Sequence, residues 1–117
     1  MPDFTNLYAP DTAFEDFLEQ VRAALGARLK RIVLFGSRAR GDNTPESDYD
    51  CLIVVDEPTS AMRNKLYDIA GEILVEHSII VFAYPISEAR FDDWQHDPLL
   101  MNVQREGVAL HESKQTE

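Results

Sequence analysis

Two short stretches carry the residue types that could do chemistry: Gly36-Ser37 and, after ten intervening residues, Asp48-Tyr49-Asp50. Gly36 lets the backbone turn sharply at the end of an apolar run. Ser37 then begins a turn whose first backbone N–H groups have no partner at the start of a short helix. With the Ser37 hydroxyl as a further donor, such a turn can hold a triphosphate, and Arg38 and Arg40 lie within reach of the same anion. Asp48 and Asp50 head a second apolar run, where a period of two puts both carboxylates on one strand face, roughly 6 to 7 Å apart at their backbones. Like charges at that spacing repel, and a divalent cation relieves the repulsion. Mg2+ takes oxygen ligands from one or two carboxylates plus substrate phosphates, which is what this pair offers. Strand, Gly-Ser turn and Asp-x-Asp together point to nucleotide chemistry, although neither short motif is specific alone.

The elements that must position these residues can be read from periodicity. Ile32 to Phe35 is a continuous β-branched and aromatic run, the pattern of a buried strand. Cys51 to Val55 is apolar on both faces, which predicts a central strand with the carboxylates at its rim. Phe14, Phe17, Leu18, Val21 and Leu25 recur at helical spacing behind Asp11 or Thr12 as cap, with Gly26 near the end. After the turn cluster Asp56 to Ser60, Met62, Leu66, Ile69 and Ile73 form a second amphipathic stripe, interrupted by Gly71 at a cost of about 1 kcal/mol relative to Ala. Ser78 to Tyr84 reads as a further strand closed by Pro85. A short helix then starts at Ser87 or Glu88 and runs through Trp94. Pro98 opens a last helix and Gly107 ends it, with Val108 to His111 as a short strand and residues 113–117 frayed. The order α-β-α-β-α-β-α predicts an α/β (α+β) fold: a small mixed sheet with helices packed largely on one face.

Gly36-Ser37-Arg38-Ala39-Arg40-Gly41 followed by Ser47-Asp48-Tyr49-Asp50-Cys51-Leu52 resembles the nucleotidyltransferase superfamily of DNA polymerase beta, and within it the minimal nucleotidyltransferase (MNT) domains. The segment Pro98 to Leu110 extends the resemblance to the end of the chain more weakly. It implies a polymerase beta-like nucleotidyltransferase fold, ATP as donor with Mg2+, and transfer of AMP to a hydroxyl of a partner HEPN toxin, with this chain as antitoxin. It assigns phosphate contacts to Gly36, Ser37, Arg38 and Arg40, and metal ligation and catalysis to Asp48 and Asp50. Members with polymerase-like chemistry carry a third acid on a neighbouring strand. The run Ser78 to Tyr84 contains none, and Glu76, just before it, is the near candidate for a third metal ligand. That departure leaves an alternative reading open: a module of the same fold, weak or inactive in catalysis, that neutralises a partner by complex formation, with Leu99, Leu100 and Val103 as a candidate contact patch. A drug-modifying transferase shares only the motif and usually needs a second domain.

Length and composition bound the remainder. The 117 residues, 44% of them apolar, suit one compact domain over 1–117 with a modest core. A net charge of −10 removes the electrostatic attraction on which general nucleic-acid binding rests. The lone Cys51 forms no internal disulfide and reads as core. No run approaches membrane-spanning length and no charged-then-apolar leader precedes Phe14, so a cytoplasmic location is expected. His77, His96 and His111 lack metal-ligand spacing, and Phe91 and Trp94 read as core rather than as a base-stacking platform.

Overall fold

The computed structural model describes residues 11–113. The first helix, α1 (Thr12–Leu25), is capped by Asp11, whose carboxylate accepts the Phe14 N–H at 3.0 Å. It ends at Gly26, whose φ of 54° is the left-handed geometry that suits a residue without a side chain. Its stripe of Phe14, Phe17, Leu18, Val21 and Leu25 is buried as the spacing predicted, and truncating either phenylalanine to alanine would cost about 3 to 5 kcal/mol.

Four strands follow, separated by helices: β1 (Leu29–Phe35), the single turn α2 (Ser37–Arg40), β2 (Tyr49–Val55), α3 (Ser60–His77), β3 (Val81–Ser87), α4 (Glu88–Asp92), α5 (Pro98–Glu106) and β4 (Val108–Glu112). They form one mixed sheet in the order β3-β2-β1-β4. β1 runs antiparallel to both of its neighbours, whereas β2 and β3 are parallel, joined by the long α3 crossover that a parallel pair requires. Thr59 caps α3, and Gly71 leaves its 18 residues unbroken.

Both faces of the sheet are covered, which explains the unbroken apolar run in β2. On one face Ile32, Leu34, Cys51, Ile53 and Val55 pack with the stripes of α1 and α3. On the other, Val33, Leu52, Val54 and Ile86 pack with Phe91, Leu100 and Val103 from α4 and α5. The two long helices thus share one face, as expected, while the short ones close the second. Leu100 and Val103 belong to this second core and only Leu99 is exposed, so the three residues do not form a surface patch. Cys51 is fully buried and its thiol is pushed well up by that burial.

β3 starts three residues later than expected and does not stop at Pro85, which sits in the ladder opposite Ile53. A residue without an N–H is tolerated there because β3 is an edge strand. α4 stops at Asp92, and a separate 3-10 turn carries Trp94. Of the segment expected to fray, Ser113 donates its N–H to Lys30 O at 2.8 Å, and residues 114–117 lie outside the described range. No helix among the described residues is long and apolar enough to cross a membrane.

Candidate functional site

The Gly-Ser turn and the carboxylate pair are built against each other. Phe35, the last residue of β1, stands opposite Asp50 in the ladder. The chain then turns at Gly36 with φ 78°, and a Cβ there would meet Asp50 Oδ2 at 2.7 Å. Glycine suits this backbone conformation, and any side chain there would also push the Asp50 carboxylate aside. The Ala39 and Arg40 N–H groups both turn back to Gly36 O at 3.1 Å, closing α2. Helix geometry leaves the Ser37 and Arg38 N–H groups at the open first turn. Ser37 is partly exposed beside them.

Asp48 precedes β2 and Asp50 lies within it, both half-buried. Burial pushes the Asp50 carboxyl above the usual carboxylate range, and the charge of Asp48 adds to the shift. Among the described residues, neither carboxylate has an ion-pair or hydrogen-bond partner. Two close, uncompensated acids make a hard oxygen-donor set that a divalent cation fits.

Tyr49, between the two acids, points to the opposite face and is 1% exposed. Phe14 of α1 stacks on its ring at 4.2 Å between centroids, and the Arg38 guanidinium lies 4.3 Å from the same ring centre. The near-parallel Phe14 ring occupies one side of Tyr49, so Arg38 takes the other. The Tyr49 hydroxyl donates to Asp11, the residue that caps α1. Burial raises the Tyr49 hydroxyl pKa, and Asp11 reinforces the shift. The Asp11 carboxyl is raised by burial, but hydrogen bonds from Tyr49, Phe14 and Ala13 more than offset this and leave it low. Sequence reasoning missed this cluster; a tyrosine flanked by two acids at a strand's start was the available signal.

Both arginines expected at the phosphates are engaged elsewhere. Arg38 donates through Nε and an Nη to Ser47 O, at 3.2 and 3.0 Å, and to Pro45 O at 3.3 Å. It ties the loop after α2 to the start of β2, so it acts as a positioning residue. Arg40 pairs with Asp42 at 3.2 Å and with Glu106 of α5 at 3.3 Å, both exposed contacts of small individual worth.

Glu76 is not brought to the pair. It belongs to the last turn of α3, where it groups with His77 and with Asp16 of α1 on the surface of the α1 and α3 face, while the Asp50 side chain points to the other face. His77 Nε2 lies 3.1 Å from Asp16 Oδ2, an interaction that holds the Asp16 carboxyl low. Ser78, left-handed at φ 60°, ends the helix, so the early strand start that would have carried Glu76 to the site does not occur.

The strand residues beside Asp50 are aromatic. Phe82 is its partner in register on β3, and Tyr84 follows on the same face. Their rings lie 6.3 Å apart, and that of Tyr84 is 5.8 Å from Phe35. Burial raises the Tyr84 hydroxyl pKa, and the charges of Asp50 and Asp48 raise it further, so the phenol lies within electrostatic reach of the pair.

Comparison with known proteins agrees with this fold. A Methanocaldococcus jannaschii chain, provisionally named a protein adenylyltransferase, is 33% identical over 101 residues, covering 86% of this chain and 97% of its own. A second from the same organism with the same provisional name is 38% identical over 68 residues, covering 57% and 69%. In fold, the chain superposes with a TM-score of 0.52 on a chain of the solved structure of a tri-AMPylated Shewanella oneidensis HEPN toxin in complex with MNT antitoxin, at 16% identity, covering 87% of this chain and 74% of that one. The family model of the nucleotidyltransferase domain matches residues 15–109, which contain the whole Gly36 to Asp50 site, and the chain belongs to that family.

Proposed function

We propose that the chain transfers AMP from ATP, with Mg2+, to a hydroxyl of a HEPN-class partner and thereby acts as its antitoxin. The observation that carries the reading is the uncompensated pair Asp48 and Asp50 beside the Gly36 turn, with no cationic side chain among the described residues to neutralise it. Asp48 and Asp50 would hold the cation, which supplies charge neutralisation for the triphosphate. Gly36 allows the phosphates to approach the backbone, and the Ser37 hydroxyl and the first N–H groups of α2 donate to them. Arg38 keeps the Ser47 carbonyl and the start of β2 in place, so that the two acids are presented before substrate arrives. Positioning and electrostatics of this kind carry most of the catalysis in phosphoryl transfer. The partner assignment draws on the MNT and HEPN complex to which the fold is similar, and the donor on a further structure of like fold, a toxin-antitoxin complex with AMP-PNP.

Incubation of the chain with ATP, Mg2+ and its co-purifying partner, followed by intact mass measurement, tests the reading. The partner should gain the mass of AMP, and Asp48→Asn with Asp50→Asn should remove that gain; an unchanged gain in the double variant overturns the assignment. One observation favours a second reading: Phe82 and Tyr84 occupy the strand positions beside Asp50 where a third acid would stand. A binding module would associate stably with the partner and leave its mass unchanged.

A further inference from the structure

β1 and β3 flank β2, so their backbones are about 9 to 10 Å apart, two strand spacings. Phe35 on β1 and Tyr84 on β3 nevertheless bring their ring centroids to 5.8 Å. Both rings must lean in over β2. The β2 residue opposite Phe35 is Asp50, and the one in register with Tyr84 is Leu52, the next position on the same face. The phenol of Tyr84 therefore stands over the strand that carries the carboxylate pair.

The three described tyrosines differ in what their hydroxyls do. That of Tyr49 is buried and donates to Asp11. Tyr67 is 69% exposed on α3, whose buried stripe packs on the other face of the sheet from Asp50, and it borders the same cavity at the β3 edge as Phe82 and Tyr84. Tyr84 is 42% exposed, lies on the carboxylate face, and its hydroxyl has no hydrogen-bond partner among the described residues.

We propose that Tyr84 is a self-modification site: its phenol accepts a nucleoside monophosphate from a nucleoside triphosphate bound at Asp48, Asp50 and the Gly36 turn, when no partner hydroxyl occupies that place. The step balances without a further reactant. Tyr84 Oη bonds to the α-phosphorus, the bond from that phosphorus to the oxygen bridging to the β-phosphate breaks, and its electron pair leaves with pyrophosphate. The phenolic proton passes to solvent water, which the exposure of Tyr84 admits. The product is a phosphodiester bearing one new negative charge beside two carboxylates, so the modified chain should bind nucleoside triphosphate more weakly than the unmodified one. This inference rests on the transfer activity proposed above.

The test is incubation of the chain alone with ATP and Mg2+, followed by intact mass measurement and peptide mapping. One AMP per chain is expected on the peptide that contains Tyr84, and none in Tyr84→Phe, a change that keeps the ring against Phe35 and whose folding is checked by thermal melting. Modification that persists in Tyr84→Phe, or that maps to another residue, overturns the inference. A parallel incubation of the wild-type chain with a HEPN partner separates the two readings. A modified partner with Tyr84 never modified, alone or in the mixture, overturns the inference and leaves the transfer activity standing; absence of both overturns both. A readout independent of turnover is the NMR spectrum of the chain with 13C-labelled tyrosine, titrated with Mg2+ and α,β-methylene ATP, whose α,β linkage cannot be cleaved in transfer. The Tyr84 ring signals should shift, and unmoved Tyr84 signals overturn the placement.

Discussion

The Asp48-Tyr49-Asp50 strand start presents two faces, and they solve opposite problems. On the α1 face the polar groups around Tyr49 are partnered: its hydroxyl meets Asp11, its ring is held between Phe14 and Arg38, and Arg38 donates to backbone carbonyls. On the other face Asp50, with Asp48 just before the strand, stands without a counter-charge among the described residues, bordered by Phe35, Phe82 and Tyr84. The alternation of a strand puts Tyr49 and Asp50 on opposite faces and makes this division possible. Rigidity on one side permits the other to stay electrostatically unsatisfied, because repulsion that would otherwise push the two acids apart works against a locked backbone. Sites that depend on positioning need such support from side chains that never touch substrate.

The largest expected effect comes from removing the unsatisfied face. Asp48→Asn combined with Asp50→Asn should lower AMP transfer by at least about 1,000-fold in a mass-based assay, the equivalent of roughly 4 kcal/mol of lost charge stabilisation. Gly36→Ala attacks the join between the two motifs. Its φ of 78° and the 2.7 Å approach to Asp50 Oδ2 predict a loss of about 1 to 3 kcal/mol in chemical denaturation, with transfer falling further because Asp50 must move.

Breaking the satisfied face tests whether it supports the other. Tyr49→Phe deletes the hydroxyl that Asp11 accepts and should cost about 1 to 2 kcal/mol of stability. Asp11 is held below its ordinary range in the folded chain, so its contribution is complete above about pH 5 and fades as pH falls below about 4. The difference between wild type and Tyr49→Phe should shrink over that window in denaturation series.

Asp50 shows the reverse sign. Its folded carboxyl is raised, so the folded chain binds that proton more tightly than the unfolded chain does. Stability is therefore lost as pH rises from the ordinary carboxylate pKa through the raised one, and stays lower above it. Without metal at neutral pH, Asp50→Asn should melt about 2 to 4 °C higher than wild type. Added Mg2+ should raise the melting temperature of wild type and leave the variant's nearly unchanged. The smallest effect is expected at Glu76→Gln, on the surface away from the pair. Stability should change by no more than about 0.5 kcal/mol and transfer by less than about threefold.

Much of this arrangement was legible in the residues. The α1 and α3 stripes, the apolar runs of β1 and β2, the cap at Asp11 and the bounds of α5 at Pro98 and Gly107 followed from local rules, because periodicity and capping act over a few residues. The late start of β3 and the placement of Pro85 within it were not legible, since both depend on β3 lying at the sheet edge. The partners of Arg38 and Arg40 were equally hidden. No local spacing links Arg38 to Ser47 O or Arg40 to Glu106; the fold brings them within reach.

The sequence by itself determined that Asp50 would enter a strand behind a glycine turn with Asp48 close by, because the apolar run after Asp50 and the steric freedom of glycine act locally, although the strand begins at Tyr49 and leaves Asp48 just outside it. Only the tertiary structure decided which charges would face that pair. α3 carries Glu76 to the opposite side of the sheet, Arg38 is spent on Tyr49 and the loop, and β3 sets Phe82 and Tyr84 beside Asp50. Charge compensation depends on neighbours brought together by crossover and register, and no local spacing encodes those.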